Sequence, residues 1–95
     1  TDTLEFAFRH TLKRTALRFA ANPSLAALSE LQKTADLLQH FPFPVNLWAI
    51  QNIFYGLLQK SYPAQRDAQM RGDETAQAWV SSFEELARDL GLKVS

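Results

Sequence analysis

Three glycines and four prolines are all the backbone punctuation this chain has, and between them its apolar residues recur at spacings of three and four. Nowhere is there a sustained alternation of apolar and polar residues. Gly56, Gly72, Gly91, Pro23, Pro42, Pro44 and Pro63 therefore divide the chain into helical stretches, and no strand is called for. The expected architecture is all-α: one small single-domain bundle of four main helices plus one short helix.

Ninety-five residues allow one domain with one core and argue against two. With 46% hydrophobic and 21% charged residues, the composition is that of an ordered globular chain. There is no internal repeat and no low-complexity tract. No apolar run approaches the roughly 20 residues that a membrane helix needs. Ten basic residues balance ten acidic ones, which removes the usual electrostatic argument for a nucleic-acid binder. The chain has no Cys, so no disulfide framework or thiolate metal site is available. A cytoplasmic setting is the default expectation. A start at Thr1 rather than Met suggests a fragment of a longer, processed chain.

The first helix is expected from about Thr3 to Ala21, with Asp2 and Glu5 as a capping-box-like start. Leu4, Phe8, Leu12, Ala16, Phe19 and Ala20 share its core face. Phe6 and Leu17 form a second, smaller apolar strip beside His10 and Lys13. Asn22 is the expected N-cap of helix 2, with Pro23 at its first position. Leu25, Leu28, Leu31, Ala35 and Leu38 then recur to an end near His40.

The connector Phe41-Pro42-Phe43-Pro44-Val45 cannot be helical throughout, because a residue before proline is pushed toward extended conformations. Its apolar side chains are expected to pack. Asn46 is the expected cap of helix 3, Leu47 to about Ser61, with Leu47, Ile50, Phe54, Leu57 and Leu58 as core face. Mid-helix Gly56 suggests a close helix approach. Tyr62-Pro63 then breaks the chain before a short polar segment ending at Gly72.

Asp73 is well placed to cap the last helix, Glu74 to Leu90. Ala76, Trp79, Val80, Phe83, Leu86, Ala87 and Leu90 give it the cleanest amphipathic pattern in the chain. Gly91 sits where a left-handed residue is wanted, with Leu92 folding back, and a domain boundary is expected near Ser95. Short connectors are expected to set successive helices antiparallel.

The chemistry of catalysis is hard to find here. His10 and His40 lie on different helices, with no HExxH motif and no glycine-rich nucleophile turn. Asp36 stands one turn before His40 as an ordinary i, i+4 pair. Glu84 and Glu85 point apart on a helix, Glu84 being able to pair with Arg88, so they resemble a solvated face and not an acid–base pair. No catalytic residue, metal ligand or cofactor loop is assigned, and no cofactor is expected. Arg9, Lys13, Arg14 and Arg18, with His10, form an acid-free basic cluster that wraps around helix 1. It could meet an anion, or simply be a solvated face with aliphatic stems covering apolar surface.

The most distinctive surface is on helix 3. Trp48, Gln51, Asn52 and Tyr55 occupy spacings of three, four and seven and share one face, displaced from the core stripe. Rings stack on flat apolar faces, and amides both donate and accept. A sugar offers such faces with hydroxyls around its rim, and a peptide groove is another match. The bland alternative is boundary packing with wet polar tips.

Phe41-Pro42-Phe43-Pro44-Val45-Asn46-Leu47-Trp48, then Gln51-Asn52 and Tyr55, resembles the C-terminal helical region of bacterial proteins related to glycoside hydrolase family 57. Gly72-Asp73-Glu74, Ala78-Trp79, Phe83 and Leu90-Gly91-Leu92 extend the likeness over about the last sixty residues. The resemblance implies a helical tail behind a catalytic barrel, with the family's catalytic carboxylates on that barrel and none on this segment. Its partners would be the upstream catalytic domain or a second copy of itself, and an oligosaccharide; nucleic acid and membrane are not expected partners. The alternative is a stand-alone protein-interaction module using Phe6, His10, Lys13 and Leu17 or the helix 3 face. Nucleic-acid binding through helix 1 ranks third, and a small enzyme fourth.

Overall fold

Apolar spacing, caps and two left-handed glycines fix five α-helices and one 3-10 turn in the computed structural model, which describes residues 2–42 and 44–93. The helices are α1 (Asp2–Ala21), α2 (Leu25–Asp36), α3 (Trp48–Gln59), α4 (Ser61–Met70) and α5 (Glu74–Asp89). The 3-10 turn, Leu37–His40, follows α2 directly. About 81% of the described residues are helical and none lies in a strand, so the all-α reading is correct. The molecule is elongated, with extents of 47 × 21 × 20 Å.

Packing follows the apolar faces. α2 lies against both α1 and α5, α3 against α1, and α4 against α5. The core is an aromatic cluster centred on Phe83. The rings of Trp79, Phe54 and Tyr62 stack on it at 4.8, 5.2 and 5.5 Å, and Phe19 closes the group at 6.3 Å. All seven apolar residues expected on the α5 face are buried. Thr15 is buried too, and its hydroxyl donates to the Thr11 carbonyl at 2.9 Å, so its polar group is satisfied.

The ends of α5 follow the local code. The Asp73 carboxylate accepts the Ala76 N–H at 3.0 Å. Gly91 takes φ +80°, its N–H donates to Arg88, and the Leu92 N–H donates to Ala87, the double closure of a Schellman motif. The same motif ends α4, where Gly72 (φ +92°) donates to Gln69 and Asp73 to Ala68. Asp73 thus finishes one helix and starts the next, which makes the α4–α5 corner very tight.

Elsewhere several expectations need correction. Asn22 does not cap α2; the Ser24 hydroxyl does, accepting from the Ala27 N–H at 3.1 Å, with Asn22 and Pro23 in the turn before it. Leu4 is 57% exposed rather than in the core, because the core face of α1 is covered only from Phe8 onward; Leu25 is also exposed. An added Cβ at Gly56 would meet nothing within 4 Å, so no helix approaches there. The break after α3 is the single residue Lys60; Tyr62 and Pro63 belong to the first turn of α4, where proline is tolerated. α3 and α4 are joined by that one residue and contact each other. Phe54 of α3 and Tyr62 of α4 both stack on Phe83.

In the connector, Phe41 packs edge-on against Phe8 at 4.5 Å and Val45 is half-buried. Phe43, Thr1, Val94, Ser95 and the Asp2 side chain lie outside the described residues, and with them the Asp2 capping box and the boundary near Ser95.

Candidate functional site

A helix that buries Phe8, Leu12 and Phe19 must turn Phe6, Arg9, His10 and Lys13 to its other flank, since these lie three, four and seven positions along from Phe6. In this fold that flank faces the start of α3. Glu5 makes the link: its carboxylate accepts the Asn46 N–H at 3.4 Å and lies 3.7 Å from Arg9. The Asn46 side-chain oxygen in turn accepts the Trp48 N–H at 3.0 Å in a local turn; α3 starts at Trp48, so the N-cap position falls to Leu47, which makes no side-chain cap bond, and Asn46, the expected cap, stands one residue before it.

The result is a shallow groove of about 250 Å³ between α1 and the head of α3, lined by Phe6, Arg9, His10, Lys13, Asn46, Trp48 and Ala49. Trp48 is 71% exposed at its edge. The Phe6 and His10 rings stack at 6.2 Å, and the Arg9 guanidinium lies 6.0 Å from the Phe6 ring centre. A second depression of about 240 Å³, lined by His10, Lys13, Arg14 and Leu17, adjoins it along α1.

Two surfaces that are separate in sequence thus become one. Phe6, His10 and Lys13 from the helix 1 strip share a groove with Trp48 from the helix 3 face, and Leu17 continues the same side of α1. The basic cluster is also less dispersed than it looks in sequence. Four of its members line these two depressions, while Arg18 reaches Glu30 of α2 at 3.7 Å. Arg9 enters the groove from the basic cluster, whereas Asn46 and Ala49 are groove residues that the sequence reading did not place at a site. The Phe6–Arg9–Lys13 spacing sets Arg9 on this flank, whereas Asn46 and Ala49 join only through tertiary packing.

The helix 3 face itself divides. Tyr55 and Asn52 are exposed, but the Gln51 amide donates to the Leu90 carbonyl at 2.9 Å and closes the C-terminus of α5. Gln51 is therefore a structural residue, and only Trp48 of the four lines the groove.

His40 lies elsewhere, in a larger and mostly apolar groove of about 470 Å³ with Leu4, Phe8, Leu37 and Phe41. The two histidines do not converge. Asp36 accepts from Gln32 at 2.9 Å in place of the expected pairing with His40, because the chain tightens to a 3-10 turn after Asp36. Glu84 accepts from the Tyr62 hydroxyl and lies 3.8 Å from Arg66, not paired with Arg88. Burial, with the Glu84 hydrogen bond behind it, raises the Tyr62 pKa above the usual 10.0, while Arg66, donating to the same hydroxyl at 3.0 Å, opposes the shift. Among the described residues no helix is long and apolar enough to cross a membrane, and no group of three potential ligands could hold a metal ion.

Comparison of the chain with models of protein families, with curated proteins and with solved structures finds no match to any of them.

Proposed function

We propose that this chain is a non-catalytic helical accessory domain of a carbohydrate-active, glycoside hydrolase-like protein, and that the groove between α1 and α3 is its sugar-contacting surface. The observation that carries the reading is Trp48, an indole 71% exposed at the edge of a groove whose other wall holds hydrogen-bond donors. The C–H face of a pyranose stacks on such a ring, and Arg9, Lys13 and Asn46 offer donors to its hydroxyls. The resemblance to the helical tail of family 57 proteins supports the same class of ligand. In this reading the chain also braces an upstream catalytic domain in a cytoplasmic protein.

A second reading, a helical protein-interaction module that works alone or as a homo-oligomer, is favoured by one specific observation. The groove containing Leu4 and Leu37 is apolar, and these residues are 57% and 50% exposed.

The test is a titration of isotope-labelled protein with short soluble α-glucans, following the two indole N–H signals. Trp79 is buried and bonded, so it serves as the internal control. Saturable movement of Trp48 alone is the expected result. Stationary signals for both indoles across the accessible concentration range would discard sugar contact and leave the interaction reading.

A further inference from the structure

We infer that the α1–α3 groove selects a sugar that carries a negative charge, a pyranose bearing a phosphate or carboxylate, over a neutral one. This rests on the sugar-contacting reading above and adds the charge. The groove and its extension along α1 hold Arg9, His10, Lys13 and Arg14. The positive charge of Arg9, Lys13 and Arg14 is poorly matched from within the protein. The nearby carboxylate is Glu5, which is shared between Arg9 and the Asn46 N–H. Among the described residues, Lys13 and Arg14 make no ion pair, whereas Arg18, one turn further on, does.

A chain with zero net charge has therefore gathered Arg9, Lys13 and Arg14 along two adjoining depressions, the last two without an ion pair, and set an exposed indole at the edge of the first. Charge-assisted hydrogen bonds from a guanidinium or ammonium to an anionic oxygen are about twice as strong as neutral ones. Arg9 is already oriented by Glu5 and Phe6, so little of its freedom remains to be lost on binding. At about 250 Å³ the space falls below the ~300 Å³ at which pockets for drug-sized ligands begin, which suits one or two sugar rings rather than a long polymer. The indole takes the flat face of the ring and the cations take the charged substituent.

The experiment compares four probes on the intact chain by the Trp48 indole shift: maltose, glucose 6-phosphate, glucuronate and inorganic phosphate. The expected result is that one or both charged sugars bind at least about tenfold more tightly than maltose and than phosphate, the effect of one added charge-assisted contact. That margin should shrink as salt is raised. Lys13→Glu and Arg14→Glu, both at exposed positions, should abolish it while leaving the Trp79 signal unchanged. Glucose 6-phosphate alone responding identifies a phosphate site, and glucuronate responding equally identifies a general anionic-sugar site. Equal affinities for charged sugars and maltose overturn the inference but keep the sugar reading. Phosphate binding as tightly as glucose 6-phosphate overturns it too, because the ring then contributes nothing. No response of Trp48 to any probe overturns both.

Discussion

The indole N–H of Trp79 donates to the carbonyl of Pro23 at 2.9 Å, across 56 residues of sequence. Pro23 has no N–H of its own and stands in the turn between α1 and α2, so this one bond pins that turn to the middle of α5. Trp79→Phe keeps an aromatic ring against Phe83 and removes only the donor and part of the volume. Leaving the half-buried carbonyl unpaired should cost about 1–3 kcal/mol. For a domain of this size that lowers the melting temperature by several degrees, since ~1 kcal/mol corresponds to about 4–8 °C. A melting curve that superimposes on that of the parent would show the bond to be energetically idle.

The two candidate caps of α2 can be separated by substitution. Ser24→Ala should lose about 1 kcal/mol, the ordinary value of an N-cap hydroxyl. Asn22→Ala should stay within about 0.5 kcal/mol, because Asn22 is exposed and its side chain makes no cap contact. Urea midpoints in the reverse order would move the cap back to Asn22.

The glycines give opposite signs. Gly91 at φ +80° holds the Schellman closure of α5, and Gly91→Ala places a side chain in a left-handed conformation at a cost of about 1–2 kcal/mol. Gly56 is in the middle of α3 with open space where a Cβ would go, so Gly56→Ala should stabilise by about 0.5–1 kcal/mol. Chemical denaturation of the two single variants reads both, and a destabilised Gly56→Ala would mean that something does cover that position.

Tyr62 makes stability depend on alkaline pH. Its pKa is raised in the folded protein, by burial first and then by the hydrogen bond to Glu84, above the usual 10.0 that the unfolded chain shows. Above that pH the unfolded state gives up the phenolic proton while the folded state retains it. The stabilisation is therefore complete below pH 10 and declines as pH rises through and beyond it. Lysine ammonium groups ordinarily titrate in the same region, so the diagnostic quantity is the difference between the parent and Tyr62→Phe. Stability measured from pH 8 to 11 should converge for the two proteins as pH rises; curves that remain parallel would remove Tyr62 as the cause.

What could be read in the sequence is what depends on near neighbours. Asp73 and Gly91 bound α5 because their contacts, to Ala76, Arg88 and Ala87, all lie within a few positions. Where two good capping residues compete, as at Asn22 and Ser24, the local code does not choose, and the turn settles with Pro23 facing Trp79. Gln51 was legible as an exposed amide and proved otherwise, because the carbonyl it serves is 39 residues away. The groove shows the same boundary. Each wall is visible as a helical spacing, Phe6 to Lys13 on one side and Trp48 on the other. That the walls meet follows from Glu5 reaching Asn46, a contact 41 residues apart that no periodicity contains.

The cluster around Phe83 also sets an order of events during synthesis. Phe19 leaves the ribosome long before the three rings of α4 and α5 that it must join. At about 5–20 residues per second, the 56 residues between Pro23 and Trp79 take roughly 3–11 s to appear. Through that interval α2 and then α3 are the helices of this bundle that can cover Phe19. The nascent bundle thus carries a greasy, unsealed α1, and sealing it waits on the arrival of α5.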